Sequence, residues 1–212
     1  AYHRGHEDLL AIWKELSVCA GVPATILPAK LPRPVLTGDD RHADIKWDWP
    51  TRRGVAVIGD KSLLHPFVGK GKSTPWGTYQ PQKLKDRING KNRIYGGFHR
   101  EQNMQFVPLV GTTLGRLGAD AVAMSWALAH RAAEKAFTAR GLDTVSPTSG
   151  QYCPQFLQLR SRFEHRNLAR LSLALCRAGG SRGLPASAPH YRADADLIEA
   201  LEVVSSSSRR RS

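Results

Sequence analysis

Apolar positions along the chain recur with two periods, one typical of helices and one typical of strands. Helical spacing predicts helices over about 5–20, 82–95, 119–140 and 154–178. Alternating or continuous apolar runs predict strands near 25–27, 42–47, 54–64 and 104–110. The resulting order, α-β-β-β-α-β-α-α, predicts an α/β fold with a small mixed central sheet flanked by helices.

Length and composition favour one domain followed by an extended segment. A chain of 212 residues has room for one compact domain with tails. We place this domain at residues 1–184. Residues 185–212 are predicted to form an extended C-terminal segment, because its basic Ser/Arg end has no apolar residues to bury.

Cysteine usage and hydropathy favour an intracellular protein without membrane insertion. Cys19, Cys153 and Cys176 stand apart, with neither the paired spacing of a zinc site nor the pattern of a disulfide framework. No stretch approaches the run of about 18 apolar residues that predicts a membrane-spanning helix.

The excess of positive charge indicates a polyanionic partner. The chain has 31 lysines and arginines against 18 acidic residues, which gives a formal net charge of +13. Such a charge attracts nucleic acid, either DNA or structured RNA. The candidate nucleic-acid-binding residues are Lys70, Lys72, Lys83, Lys85, Arg162, Arg166, Arg170, Arg177, Arg209, Arg210 and Arg211.

Four of these arginines are predicted to share one face of the last helix. Arg162, Arg166, Arg170 and Arg177 are spaced four, four and seven residues apart, beside an apolar set on the same helix. A helix with one apolar and one cationic face suits phosphate binding. The alternative is a solvated surface helix, in which arginine serves solubility and surface pairing.

Three tryptophans offer a second way to bind nucleic acid. Trp47, Trp49 and Trp76 lie among lysines and arginines and are candidates for stacking on unpaired bases. Packing in the core or in a lid is the alternative, and it is the more common role of tryptophan.

Two aspartates at strand ends are the candidates for chemistry. Asp44 lies in the predicted strand 42–47, and Asp60 follows the apolar run 55–59. Two carboxylates on adjacent strands can meet at one hard cation, and Mg²⁺ prefers one or two carboxylates together with water and phosphate oxygens. Such an ion lowers the pKa of a bound water and stabilises the leaving oxygen of a phosphodiester. The alternative is that both aspartates are ordinary strand-end or turn residues.

Several short motifs follow one another along the chain. They are H-x-x-L at 6–9, a basic residue before an aspartate at 41–44, D-x-[ST]-x-x-H-P at 60–66, K-x-x-x-Y at 91–95, F-x-P-L-V at 106–110, T-x-G-x-x-G at 113–118 and R-L-S-L-A-L at 170–175. In order and spacing they resemble the restriction-endonuclease-like, PD-(D/E)XK, domain carried by site-specific retrotransposons and by related open reading frames of algae and protists. The likeness spans residues 6–180.

The resemblance implies a metal-dependent nuclease site. Asp44 and Asp60 would be its metal ligands, with Mg²⁺ as the cofactor if the site is active and no cofactor otherwise. Lys91 would be the third catalytic residue, delivered from a helix because Ser62 occupies the usual strand position of the lysine. It would orient the attacking water or stabilise charge on the phosphate. The Asn-Gly dipeptide that precedes Lys91 favours a turn over a helix interior.

Three functions fit these features. The first is an endonuclease-like domain of mobile-element origin that binds nucleic acid and hydrolyses phosphodiesters, for which a nuclear location is expected. The second is a catalytically silent, RNA-binding structural component of a large ribonucleoprotein such as an organellar ribosome, in a mitochondrion or plastid. The third is a protein-interaction subunit of an enzyme or membrane complex, which leaves the charge excess without a role.

Overall fold

The predicted helices and strands form in the predicted order. The structure is a computed structural model, and it describes residues 2–27, 43–49, 55–65, 82–146 and 149–180. The helices of this part of the chain are α1 (Tyr2–Ala20), α2 (Gln82–Lys91), α3 (Gly97–Glu101), α4 (Ala119–Thr138) and α5 (Pro154–Gly180), with a π-helical segment at Asn92–Gly96. The strands are β1 (Ala24–Ile26), β2 (Ile45–Trp47), β3 (Ala56–Leu64) and β4 (Met104–Thr112).

The described strands form one mixed sheet in the order β1-β2-β3-β4. β2 is antiparallel to both β1 and β3, whereas β3 and β4 are parallel and are connected through α2 and α3. The register pairs Ile45 with Gly59 across β2 and β3, and Asp60 with Pro108 across β3 and β4. The prediction of an α/β fold with a small mixed sheet flanked by helices is therefore confirmed.

One face of the sheet is apolar and supports the main hydrophobic core. Side chains alternate between the two faces along each strand, and this face carries Ile45, Trp47, Val57, Val107 and Leu109. Helices α1, α4 and α5 cover it. Their buried contributions include Leu9, Leu10, Trp13, Leu16, Met124, Leu128, Leu171 and Leu175.

Trp47 fixes how β2 lies against β3. Its indole N–H donates a hydrogen bond to the Ser17 hydroxyl at 2.8 Å, and that hydroxyl donates to the Trp13 carbonyl at 2.7 Å. The Trp47 ring lies so close to Gly59 that a Cβ there would come within 2.7 Å of it. Because only glycine fits beside this ring, the contact holds the register in which Ile45 faces Gly59.

The suggested stacking of tryptophans on bases is wrong for Trp47. Its ring is fully buried, because it serves the core and the hydrogen bond to Ser17. Trp49 is half-buried and packs against the same core. Several of the predicted features lie outside the described residues, namely Trp76, Lys70, Lys72, Arg209, Arg210, Arg211 and the whole segment 185–212.

The opposite face of the sheet is covered by α2, the π-helical segment and α3. Phe106 of β4 stacks against Tyr95 of the π-helical segment and against His99 of α3, with ring centroids 5.4 and 5.6 Å apart. Asp60 and Ser62 of β3 share this face, and side chains of α2 reach both of them. Asp60 and Ser62 are therefore polar residues on a face that also buries Ile58 of β3 and Val110 of β4.

The turn expected at Asn89-Gly90 does not form. Both residues lie inside α2, which ends at Lys91 and continues directly into the π-helical segment. The buried side chains of α2 are Leu84 and Lys91. Their burial against the sheet outweighs the weak local preference of Asn-Gly for a turn, as tertiary contacts commonly do.

The described helices and cysteines carry neither a membrane span nor a disulfide. Within the part of the chain that the structure describes, no helix is both long enough and apolar enough to cross a membrane. Cys19, Cys153 and Cys176 are all free thiols.

We expect Gly59→Ala to destabilise the protein by about 1–3 kcal/mol, because the added methyl group overpacks the contact with Trp47 and Leu109. Gly90→Ala is the matched control. It adds the same methyl group to α2 where no atom lies within 4 Å, and it removes the helix penalty of glycine. Urea unfolding of both variants tests this account, and a Gly59→Ala protein as stable as the wild type would contradict it.

Candidate active site

Asp44 and Asp60 lie opposite each other at the end of the β2–β3 pairing. Asp44 immediately precedes β2 and Asp60 immediately follows Gly59, the partner of Ile45, and the two carboxyl groups interact through charge and a hydrogen bond. The Asp44 backbone N–H donates to the Gly59 carbonyl at 2.9 Å, and its carboxylate accepts the Lys61 N–H at 2.6 Å. The structure therefore brings together the two carboxylates that the sequence singles out.

Lys91 reaches the same place from α2. Its ammonium forms a buried ion pair with a carboxylate oxygen of Asp60, and the two side chains are 8% and 11% exposed. The ammonium also lies 5.4 Å from the centre of the Tyr95 ring, one turn further along the helix. All three residues predicted to be catalytic are thus neighbours.

The pKa of Asp60 is set by its burial and by the charges of Lys91 and Asp44. Burial raises the pKa of Asp60 to about 6, the Lys91 ammonium lowers it in part, and the Asp44 carboxyl raises it through charge and a hydrogen bond. A carboxylate that is desolvated and next to another carboxylate is stabilised by any nearby cation. The lysine supplies that charge here.

Lys61 is a neighbour of the carboxylates that the sequence reasoning missed. Strand alternation turns its side chain to the apolar face of the sheet, together with Gly59, and only 5% of the residue is exposed. Burial lowers the pKa of Lys61 to about 7. The carboxylates that oppose this shift are, in decreasing order, those of Asp44, Asp60, Asp8 and Glu7. Strand alternation is the signal that would have found this lysine, because Val57, Gly59 and Lys61 occupy alternate positions of β3 and so share one face.

A second contact between α2 and β3 was also missed. The Arg87 Nε–H donates to the Ser62 hydroxyl at 2.9 Å. Arg87 precedes Lys91 by four residues, and Ser62 follows Asp60 by two, so helical and strand spacing place each pair on one face. The position where the resemblance expects a lysine instead holds a serine that binds an arginine.

The donor set suits a hard cation such as Mg²⁺. Within the described ranges, no group of three or more His, Cys, Asp or Glu side chains is arranged to hold a metal. Mg²⁺ needs fewer protein ligands than that, since it retains waters and takes one or two carboxylates with phosphate oxygens. Asp44 and Asp60 would supply those carboxylates, and Asp60 would then share its negative charge between the ion and Lys91.

The predicted nucleic-acid-binding residues differ in their surroundings. On α5, Arg162, Arg166 and Arg177 are exposed, whereas Arg170 forms an ion pair with Glu15 of α1. That pairing partly neutralises the charge of Arg170. On α2, Lys85 is exposed and Lys83 is half-buried.

We find no match to this chain among protein-family models, curated protein sequences or solved structures. A function for this protein is therefore inferred from its sequence motifs, its fold and the geometry around Asp60.

We expect Lys91→Met to destabilise the protein by about 3–5 kcal/mol at pH 7, because it leaves the buried Asp60 carboxylate without its cation. Adding Asp60→Asn to this variant should restore much of the loss. Lys85→Met, on the exposed part of the same helix, should change stability by less than about 0.5 kcal/mol. Urea unfolding of these three variants, of Asp60→Asn alone and of the wild type measures the coupling between Lys91 and Asp60.

The pH dependence of this loss follows from the pKa of Asp60. An acid whose pKa is raised in the folded state costs stability as pH rises, between its unfolded value of about 3.9 and its folded value. Since Lys91 lowers the pKa of Asp60, its removal raises that pKa further. Lys91→Met should therefore be less destabilising at pH 5 than at pH 8, and an equal loss at both pH values would contradict the ion pair.

Proposed function

We propose that this chain is a restriction-endonuclease-like domain of mobile-element origin that binds nucleic acid and hydrolyses phosphodiesters with the help of Mg²⁺. The observation that carries the proposal is the opposition of Asp44 and Asp60 across β2 and β3, with Lys91 brought to Asp60 from a covering helix. The resemblance in sequence motifs names these same three residues. Neither a strand-end nor a turn role would require a lysine to be buried against Asp60.

Each of the three residues has a role in such a reaction. Asp44 is oriented by the Lys61 N–H and, with Asp60, offers carboxylate oxygens to one ion. Mg²⁺ at this place would activate a water and stabilise the leaving oxygen. Lys91 would place its positive charge beside the phosphate, where negative charge grows during the attack. The water oxygen would bond to phosphorus and release a proton to solvent, the phosphorus–oxygen bond to the leaving group would break, and the leaving oxygen would take a proton from solvent.

The charge distribution supports a nucleic-acid substrate. A net charge of +13 attracts a polyanion over long distances. Arg162, Arg166 and Arg177 form an exposed cationic face on α5, and Lys85 is exposed on the helix that carries Lys91. Contacts of this kind to phosphates give affinity without sequence preference.

One observation favours the second function, a catalytically silent RNA-binding component of a large ribonucleoprotein. The Lys91 ammonium already neutralises Asp60, so the two could serve only to fasten α2 to the sheet. In that case the cationic surfaces bind RNA and no metal enters the site. Cleavage and binding, measured on the same protein, separate the two functions.

We expect the protein to cleave supercoiled or single-stranded DNA, or RNA, when Mg²⁺ is present and not in EDTA. Asp60→Asn should reduce the rate at least about 100-fold, because it removes a carboxylate from the ion. The matched control is Asp48→Asn, which removes an exposed carboxylate just beyond the other end of β2, where it pairs with Lys46. That variant should cleave like the wild type.

The result that contradicts the nuclease is tight, salt-sensitive binding of nucleic acid without cleavage by the wild type. This result would support the ribonucleoprotein function instead. Absence of salt-dependent binding would contradict both functions, because in each the cationic side chains neutralise phosphates and release the counterions condensed on the nucleic acid.

A further inference from the structure

Two cationic side chains of α2 contact two polar side chains of β3. The order along the helix is opposite to the order along the strand. Lys91 pairs with Asp60, and Arg87 donates its Nε–H to Ser62 at 2.9 Å. Four residues of helix advance about 6 Å, and two residues of strand advance about 6.6 Å. The two contacts therefore stand side by side, with nearly equal intervals on the helix and on the strand.

The two contacts differ in burial and in charge balance. Lys91 is buried and neutralised by Asp60, whereas Arg87 is exposed and its partner is an uncharged hydroxyl. Among the described residues, no ion pair joins Arg87 to a carboxylate. Asp86, the acidic residue of α2, instead accepts a hydrogen bond from Gln82 at 3.1 Å. The positive charge of Arg87 is thus held in place without being neutralised.

Ser62 orients Arg87 in a way that suits a phosphate. A guanidinium has five N–H donors in a planar fork, and the Ser62 hydroxyl takes one of them. The fork then has four donors for a further acceptor, and paired N–H donors match the oxygens of a phosphate. A lysine at this position would offer a point charge without such a fixed plane.

We propose that Arg87 and Ser62 form a phosphate subsite that binds the phosphate next to the one that Mg²⁺ would bring to Asp44 and Asp60. This inference rests on the proposed function, because it requires a nucleic-acid strand that reaches Asp60 to continue past the exposed Arg87. Arg87 touches the substrate, and Ser62 is a positioning residue that acts through Arg87. Bound in this way, the strand would be held on both sides of one phosphorus–oxygen bond.

The test is the salt dependence of binding by the full chain to a fluorescent single-stranded and a fluorescent duplex oligonucleotide, in EDTA so that no cleavage occurs. Losing one phosphate contact should make the slope of log K against log salt shallower by about 0.9 for the duplex or about 0.7 for the single strand. We expect this change for Arg87→Ala, together with a roughly tenfold weaker affinity.

Two further variants separate charge from orientation. Arg87→Lys keeps the charge and loses the Nε–H bond, and Ser62→Ala keeps the arginine and loses its acceptor. Both should retain the wild-type slope and bind more weakly. Arg140→Ala is the matched control, since it removes one exposed arginine after α4, a helix that covers the other sheet face. It should leave slope and affinity unchanged.

The outcomes distinguish this inference from the proposed function. If the wild type shows no salt-dependent binding, both fail. If the wild type binds and Arg87→Ala keeps its slope and affinity, the subsite alone is wrong. An unchanged slope combined with lower unfolding stability of Arg87→Ala and Ser62→Ala would show that the contact only fastens α2 to β3, which also overturns the subsite.

Discussion

The register between β2 and β3 is the constraint on which the candidate site depends. A shift of one residue would turn every side chain of a strand to the other face, and Asp44 would no longer lie opposite Asp60. The register is held by the Trp47 ring, which leaves room for no side chain at Gly59 and is itself anchored by Ser17 of α1. The core on one face of the sheet therefore sets the geometry of the carboxylates on the other.

Because Asp60 is buried, its ionised carboxylate needs a nearby cation to stabilise it. The pKa of Asp60 is raised to about 6 by desolvation, and the nearby Asp44 adds to that shift. The Lys91 ammonium partly stabilises the Asp60 carboxylate. A divalent ion would stabilise it further while competing with Lys91 for the same oxygens. The same arrangement is thus compatible with two roles. Lys91 and Asp60 can serve only to attach α2 to the sheet, or they can belong to a metal site with a lysine beside it. Which cation Asp60 binds under working conditions decides between the two functions.

The order of elements and the meeting of Asp44 and Asp60 were predictable from the sequence, because hydrophobic period and adjacency of strands are local signals. At Asn89-Gly90 the local signals conflicted, because helical spacing predicted a helix over 82–95 whereas the dipeptide favoured a turn, and the burial of Lys91 against β3 decides for the helix. The contact of Arg87 with Ser62 was missed for a similar reason. Helical spacing places Arg87 in line with Lys91, but nothing local shows which strand the helix will cover.

The most direct test of the central claim is the NMR spectrum of the full chain during titration with Mn²⁺, which takes the same oxygen ligands as Mg²⁺. The account predicts that small amounts of Mn²⁺ broaden the backbone signals of Asp44, Asp60 and Lys91 first, and that Asp44→Asn abolishes this selectivity. Broadening that spares these signals, or that follows exposed carboxylates such as Asp143 equally in both proteins, would contradict a metal site between β2 and β3.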